Sequence, residues 1–315
     1  MAKARPAGGP LHGESPGPGP VLRLAVLGDS SAAGFGAPDH ATALAGQLAT
    51  ALAADLSRTV SWRVAARGGA TARTVTALLP RLTDQATGWR PDLVVVAVGV
   101  NDTTRLRRPT AFQRDILRLV TALHATLTTP PGTALKPSHT ELNNSPKTHA
   151  IDATSAATAS PADNAGTAGG EAETGGRSGG GGGGEGRSGG GGGGEGWSGD
   201  KGWSEDGAWS GEKRWSGGGG GAPAVVPVLL SGLPPVHRFP VLPAPARWLF
   251  GSHARRLDRR LAAAAAELPG THHLPVGDIP MDQPGLFASD GFHPAPPAYQ
   301  IWARLLARQA APLLA

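Results

Sequence analysis

Four short segments of the sequence carry side chains that together could perform acyl transfer. They are Gly28-Asp29-Ser30-Ser31, Arg67-Gly68-Gly69-Ala70-Thr71, Gly99-Val100-Asn101-Asp102 and, near the carboxyl end, Asp290-Gly291-Phe292-His293-Pro294. A serine hydroxyl is a poor nucleophile until a base takes its proton, and a histidine oriented by a carboxylate is the common protein base. Ser30 could be the nucleophile, with His293 as its base and Asp290, three residues away, as the orienting carboxylate.

Acyl transfer also needs hydrogen-bond donors for the oxyanion of the tetrahedral intermediate. The sequence offers the backbone N–H groups of Ser30 and Gly69 and the side-chain amide of Asn101. A glycine at such a position lets the backbone approach a substrate closely. The remaining carboxylates of these segments, Asp29 and Asp102, are interpreted as side chains that hold their loops through hydrogen bonds.

Short apolar runs alternate with amphipathic stretches along the chain, which predicts a layered α/β fold with a mostly parallel sheet. Residues 93–98 are apolar at every position, as expected for a strand covered on both faces. Leucines at 44, 48, 52 and 56 share one side of a helix. The predicted strands are 21–27, 59–66, 93–98, 225–230 and 272–276; the predicted helices are 40–58, 71–83, one from Pro109, one centred on 255–267 and one from Pro296.

The order of these elements predicts where the chemistry lies. In open α/β sheets, ligands bind beyond the carboxyl ends of the strands. Ser30, Gly69 and Asn101 each follow a predicted strand, and the segment with Asp290 and His293 directly precedes the last predicted helix. We therefore expect the four segments to meet at one edge of the sheet.

In this order, the GDSS, Gly-Gly-Ala-Thr, GVND and DGFHP segments resemble the SGNH hydrolases, also called GDSL esterases and lipases. The resemblance covers residues 21–129 and 223–315. It implies a flavodoxin-like three-layer α/β/α sandwich and an esterase or lipase that needs no cofactor. By position it implies Ser30 as nucleophile, Gly69 and Asn101 as oxyanion donors, and Asp290 with His293 as the rest of the triad.

Composition divides the chain into three parts. Residues 131–222 hold 29 of the 48 glycines, and Arg-Ser or Trp-Ser pairs recur in them at intervals of ten and then six residues. Glycine tracts supply few side chains to bury, so they cannot offset the entropy lost on ordering. We predict a disordered insertion at 131–222, a single hydrolase domain formed by 21–130 and 223–315, and a disordered Pro/Gly-rich N-terminus at 1–20.

The net charge of +5 is unevenly distributed. Residues 131–222 carry 7 basic and 11 acidic residues, whereas the rest of the chain carries 22 and 13. The arginines scattered along the predicted helices lack interleaved stacking aromatic residues, which favours solvated helix faces over a nucleic-acid surface. The sequence has no cysteine, no HExxH and no glycine-rich nucleotide motif, so we expect neither a metal site nor a nucleotide cofactor.

The expected substrate is a small ester or a lipid-like molecule. No window reaches the ~18 apolar residues of a membrane span, and the first twenty residues lack the apolar stretch of a signal peptide, which predicts a cytoplasmic protein. Three alternatives stay open. The protein could be a non-catalytic binding module on the same fold, or an acyltransferase that uses an alcohol. The Gly/Trp-rich insertion could also be the functional part, with the α/β domain as its anchor. The sequence determines neither the acyl chain nor the oligomeric state.

Overall fold

A sheet with helices on both faces organises the chain. The computed structural model describes residues 4–84, 86–128 and 225–314. The strands of these residues are β1 (His12–Ser15), β2 (Gly19–Gly28), β3 (Arg58–Ala66), β4 (Leu93–Ala97), β5 (Val228–Ser231) and β6 (Thr271–Leu274). Their α-helices are α1 (Leu44–Leu56), α2 (Val100–Thr104), α3 (Pro109–Thr128), α4 (Ala244–Glu267) and α5 (Pro296–Leu314). Two 3₁₀ helices cover Val75–Leu82 and Val236–Arg238.

The strand order in the sheet is β1-β3-β2-β4-β5-β6. Strand β1 pairs antiparallel with β3, and every other neighbouring pair is parallel. If β1 is set aside, the five parallel strands follow the order 2-1-3-4-5 of flavodoxin-like folds. The predicted three-layer α/β/α fold with a mostly parallel sheet is confirmed.

Each face of the sheet packs against its own apolar core. Leu24 and Val26 of β2 belong to the core with α1 and α5, whereas Leu27 belongs to the core with α3 and α4. This division follows the two-residue period of strand side chains. Strand β4 is buried at all of its residues, because helices cover it from both sides.

The segment predicted as a helix at 71–83 forms a 3₁₀ helix over Val75–Leu82 instead. Pro80 lies inside it and cannot donate a backbone hydrogen bond, which disfavours an α-helix through this point. Its apolar residues still face inward, since Val75 and Leu79 are buried. The apolar pattern therefore located the buried face correctly but did not distinguish the two helix types.

The prediction of a disordered N-terminus at residues 1–20 is wrong for residues 4–20. Strand β1 pairs with β3 from His12 opposite Arg63 to Ser15 opposite Val60. Upstream of β1, the N–H of Ala7 donates to the carbonyl of Ala33 at 3.1 Å. Proline is tolerated beside an edge strand, so long-range backbone pairing overrides the composition here. The predicted insertion, residues 131–222, lies outside the described residues.

We expect Gly28→Ala to destabilise the fold, because β2 and β4 approach too closely for a side chain. A Cβ at Gly28 would lie 2.1 Å from the carbonyl oxygen of Ala97 and 2.8 Å from the Cβ of Ala32. Overpacking against a backbone atom costs about 1–3 kcal/mol or more, measurable by urea unfolding. Gly277→Ala is the matched control, since a Cβ there meets nothing within 4 Å. Equal losses in both variants would contradict the close approach.

Candidate active site

Ser30 lies in the loop that follows β2, at the centre of the sheet. Strands β3 and β4 flank β2, so this loop sits where the strand order reverses, the usual ligand site of such sheets. The loop is held by its backbone: the N–H of Asp29 donates to the carbonyl of Ala97 at 3.1 Å, and the N–H of Phe35 donates to the carbonyl of Ser30 at 3.0 Å. Ser30 is 8% exposed.

The loop before α5 holds Asp290 and His293 as a hydrogen-bonded pair. Nδ1 of His293 lies 2.6 Å from Oδ2 of Asp290. Oδ1 of Asp290 accepts the backbone N–H groups of Phe292 and His293, each at 3.0 Å. Asp290 thus engages one nitrogen of the ring, and His293 lines the same pocket as Ser30. The structure brings these three predicted residues together from opposite ends of the chain.

The electrostatics of Asp290 favour its ionised form. Burial alone would raise the pKa of this carboxyl, but hydrogen bonds from the side chain and backbone of His293 and from the backbone of Phe292 outweigh it and lower the pKa below its ordinary value. The N–H of Ala4 also donates to Oδ2 of Asp290 at 3.4 Å. A residue of the N-terminal segment, which the sequence did not implicate, therefore contacts the carboxylate.

Aromatic rings hold the imidazole of His293 from two sides. The ring centroid of Phe35 lies 5.0 Å from that of His293, and the centroid of Phe292 lies 5.1 Å from it. The hydroxyl of Tyr299 donates to the carbonyl of Phe35 at 2.8 Å. Burial raises the pKa of Tyr299 well above its ordinary value, so the phenol keeps the proton that this bond needs.

Asn101 connects the loops at the ends of three neighbouring strands. Its Nδ2 donates to the carbonyl of Ala70 at 3.0 Å and, over 3.4 Å, to Oδ2 of Asp29. Gly69 adopts a φ of +75°, in a turn closed by a 3.1 Å bond from the N–H of Ala70 to the carbonyl of Arg67. The structure thus places Asn101 and Gly69 at the sheet edge that carries Ser30, although neither lines the pocket shared by Ser30 and His293.

The two remaining carboxylates of the segments hold loops, as interpreted from the sequence. Oδ1 of Asp29 accepts the N–H of Ser31 at 2.9 Å, and Oδ2 of Asp102 accepts the N–H of Ala72 at 2.9 Å. Each aspartate is 1% exposed. Burial raises the pKa of Asp29 to about 7 and the pKa of Asp102 to about 6.

We expect Asp29→Asn to change how stability depends on pH. The unfolded chain loses the Asp29 proton near pH 4, whereas the folded protein keeps it until about pH 7. The stability contributed by the protonated carboxyl is therefore complete below about pH 4 and falls as the pH rises toward 7. Asparagine does not titrate, so the free energy of unfolding of the variant should rise relative to wild type over this range, by on the order of a few kcal/mol.

Urea unfolding of both proteins at pH 4 and pH 7 measures this difference. Asp55→Asn is the control, because Asp55 is exposed on α1 and exposed charges contribute little to stability. The same pH-dependent gain in both variants would show that burial of Asp29 is not its source.

Apolar side chains form most of the remaining pocket wall. They are Val100, Phe239, Ile279, Met281, Phe292 and Trp302. The indole N–H of Trp302 donates to Oγ of Ser231 at 3.0 Å. Sequence reasoning missed this wall, because most of its residues come from loops without a periodic pattern. The available signals were Phe292 inside the DGFHP segment and Trp302 in the last predicted helix.

The sequence was compared with models of known protein families and with curated proteins. The family model of the GDSL-like lipases and acylhydrolases matches residues 26–167, which include the segments with Ser30, Gly69 and Asn101. Over these residues the chain is similar to this family. This match supports an enzyme that hydrolyses esters in general. No curated protein matches the sequence significantly.

Solved structures that are similar to this chain have low sequence identity to it. The lipase Lip_vut3 from a goat rumen metagenome is 13% identical with a TM-score of 0.51, over 92% of this chain and 97% of that chain. TesA is 18% identical with a TM-score of 0.48, over 93% and 99%. The family 3 carbohydrate esterase of Clostridium thermocellum is 11% identical with a TM-score of 0.47, over 92% and 99%.

The described part of the chain lacks two further kinds of feature. It contains no cluster of three or more His, Cys, Asp or Glu side chains that could hold a metal ion. None of its helices combines the length and apolarity needed to cross a membrane.

Proposed function

We propose that this protein is a serine ester hydrolase that works through an acyl-serine intermediate. The observation that carries the proposal is the pocket lined by both Ser30 and His293, with Oδ2 of Asp290 2.6 Å from Nδ1 of His293. An ionised carboxylate at Nδ1 keeps the ring proton on that nitrogen and leaves Nε2 free to accept a proton.

The proposed reaction has two halves. Oγ of Ser30 attacks the ester carbonyl carbon while Nε2 of His293 takes the hydroxyl proton; the tetrahedral intermediate then collapses, the C–O bond to the alcohol breaks, and His293 returns the proton to that alcohol. In the second half, water attacks the acyl-serine and gives a proton to His293. The acid is released as His293 reprotonates Ser30.

The oxyanion would be bound by the backbone N–H groups of Ser30 and Gly69 and by the amide of Asn101. The bond from Asn101 to the carbonyl of Ala70, at 3.0 Å, orients this amide, whereas its contact with Asp29 is longer, at 3.4 Å. We expect the oxyanion to replace the longer contact. Donors positioned before the reaction stabilise the developing charge without a reorganisation cost.

The pocket wall favours an uncharged acyl group. Its lining includes no Asp, Glu, Lys or Arg among the described residues, and its walls are mainly aromatic or aliphatic. Burial of apolar atoms supplies about 25 cal/mol per Å², which would favour an aliphatic acyl chain over a charged one. We propose small or lipid-like carboxylic esters as the substrate class.

A fluorophosphonate probe tests the proposal, because it phosphonylates an activated serine irreversibly. We expect the probe to label the wild type at Ser30, as located by peptide mass spectrometry. The rate of p-nitrophenyl butyrate hydrolysis should fall in proportion to the fraction of protein that is labelled. A folded protein that neither reacts with the probe nor hydrolyses any ester would instead be a binding module on this fold. If added butanol diverts most of the acyl group from water into a new ester, the enzyme is an acyltransferase.

A further inference from the structure

The start of α4 and the loop before it expose many apolar side chains. Residues 241–250 read Val-Leu-Pro-Ala-Pro-Ala-Arg-Trp-Leu-Phe. Trp248 is 80% exposed, Leu249 is 54% exposed and Val241 is 41% exposed. The six exposed apolar residues, here named the apolar tip, are Val241, Pro243, Ala244, Pro245, Trp248 and Leu249. Exposed apolar residues grouped in this way mark interaction surfaces.

Arg247 is the one charged residue of 241–250, and its guanidinium is bonded to the backbone of the preceding loop. Nε of Arg247 donates to the carbonyl of Leu242 at 2.6 Å, and its Nη2 donates to the carbonyl of Pro240 at 3.1 Å. The guanidinium is thus bound to the backbone of the loop. Arg247 fixes the shape of the segment that carries Val241.

The apolar tip is directly connected to the candidate active site. The N–H of Val241 donates to the carbonyl of Gly291, between Asp290 and His293, at 3.3 Å. Two residues before Val241, Phe239 lines the pocket and packs edge-on against Phe292 with a ring-centroid distance of 5.3 Å. A surface that binds the tip therefore lies next to the pocket.

Exposed arginines continue the same faces of α4 beyond the tip. Arg255 and Arg259 follow Trp248 by seven and eleven residues, and Arg256 and Arg260 follow Leu249 by the same spacings, so each row shares one side of the helix. At 1.5 Å per residue they lie about 10 and 17 Å along the axis from the tip. No ion pair joins these four arginines to a carboxylate within the described residues.

We propose that the apolar tip and these four arginines dock the protein onto an anionic lipid surface. Trp and Leu side chains insert into the boundary between headgroups and acyl chains, while nearby arginines contact anionic headgroups. Resting on the proposed ester hydrolase function, this inference names its substrate class: esters dissolved in, or forming, such a surface. A second copy fits less well, because a two-fold contact would bring like-charged arginine rows into one interface.

Co-sedimentation of the full chain with large vesicles tests docking without any turnover. We expect the wild type to bind vesicles of equal parts phosphatidylglycerol and phosphatidylcholine more strongly than vesicles of phosphatidylcholine alone. The double variant Trp248→Ser/Leu249→Ser should reduce partitioning by about tenfold or more, and Arg255→Gln/Arg256→Gln should reduce it by a similar factor on anionic vesicles only. Leu11→Ser is the matched control, because Leu11 is 53% exposed and lies outside this surface.

Four outcomes would overturn the inference: no binding by the wild type, equal binding to both kinds of vesicle, an equal loss with Leu11→Ser, or a dimer in sedimentation velocity that only the tip variant dissociates. The last outcome would assign the tip to a second copy. Hydrolysis of a soluble p-nitrophenyl ester by the tip variant should stay near the wild-type rate. Because vesicle binding needs no catalysis, a missing esterase activity would overturn the proposed function and leave the docking result standing.

Discussion

Replacing Ser30 by alanine should reduce kcat/KM for p-nitrophenyl butyrate by about 10³-fold or more, because the variant lacks the hydroxyl proposed to form the acyl intermediate. Ser30 lies at the reversal of strand order and shares its pocket with His293. The substrate would still meet the apolar wall and the oxyanion donors. We therefore expect the loss in kcat, with KM changed little.

Two further variants make this first prediction specific. Ser31→Ala is the stringent control, because Ser31 lines the same pocket and should keep activity within about tenfold of wild type. The double variant Ser30→Ala/His293→Ala should lose scarcely more activity than Ser30→Ala alone, since the two side chains act as one unit. Additive losses, or equal losses in Ser30→Ala and Ser31→Ala, would remove Ser30 from the role of nucleophile.

Asp290→Asn should lower kcat by about 10³–10⁴-fold although it is nearly isosteric. In the wild type, Oδ1 accepts two backbone N–H groups at 3.0 Å, and Oδ2 lies 2.6 Å from Nδ1 of His293. In the variant, the amide oxygen must still face the two N–H donors, so the amide NH₂ replaces Oδ2. It then donates to Nδ1, the ring proton moves to Nε2, and the ring can no longer accept the proton of Ser30.

Steady-state kinetics measure kcat for Asp290→Asn, with Asp282→Asn as the control variant. The side chain of Asp282 is 70% exposed and pairs with Arg238 at 3.4 Å, so its replacement should leave kcat near the wild-type value. Circular dichroism and unfolding should show that both variants are folded. Retention of activity within about tenfold in Asp290→Asn would mean that the carboxylate does not select the tautomer of His293.

The elements that the sequence predicted well are those with local signals. Strand β4 is recognisable from the sequence because a short run that is apolar at every position indicates a strand covered on both faces, whichever elements cover it. The pair of Asp290 and His293 is also local, since a turn of three residues suffices to bring the carboxylate to the ring. The catalytic roles given to Ser30, Gly69, Asn101, Asp290 and His293 stay predictions.

The features that the sequence did not predict depend on contacts between distant residues. The Pro/Gly-rich start of the chain suggested disorder, yet β1 is ordered by pairing with β3, whose residues lie about fifty positions later. The contact of Ala4 with Asp290 joins residues 286 positions apart. Composition reports the intrinsic cost of ordering a segment, but not the partner that offsets this cost.

The sequence by itself determined the α/β layering, the strand-end placement of Ser30, Gly69 and Asn101, and the local pairing of Asp290 with His293. Each of these follows from periodicity or from neighbours within a few residues. Only the tertiary structure decided that Ser30 and His293 line one pocket, that two aromatic rings pack against the imidazole, and that Trp248 and Leu249 stay exposed. The physical reason is that burial and pocket shape depend on which surfaces pack together. The sequence alone does not distinguish an apolar residue of the core from an apolar residue of a docking surface.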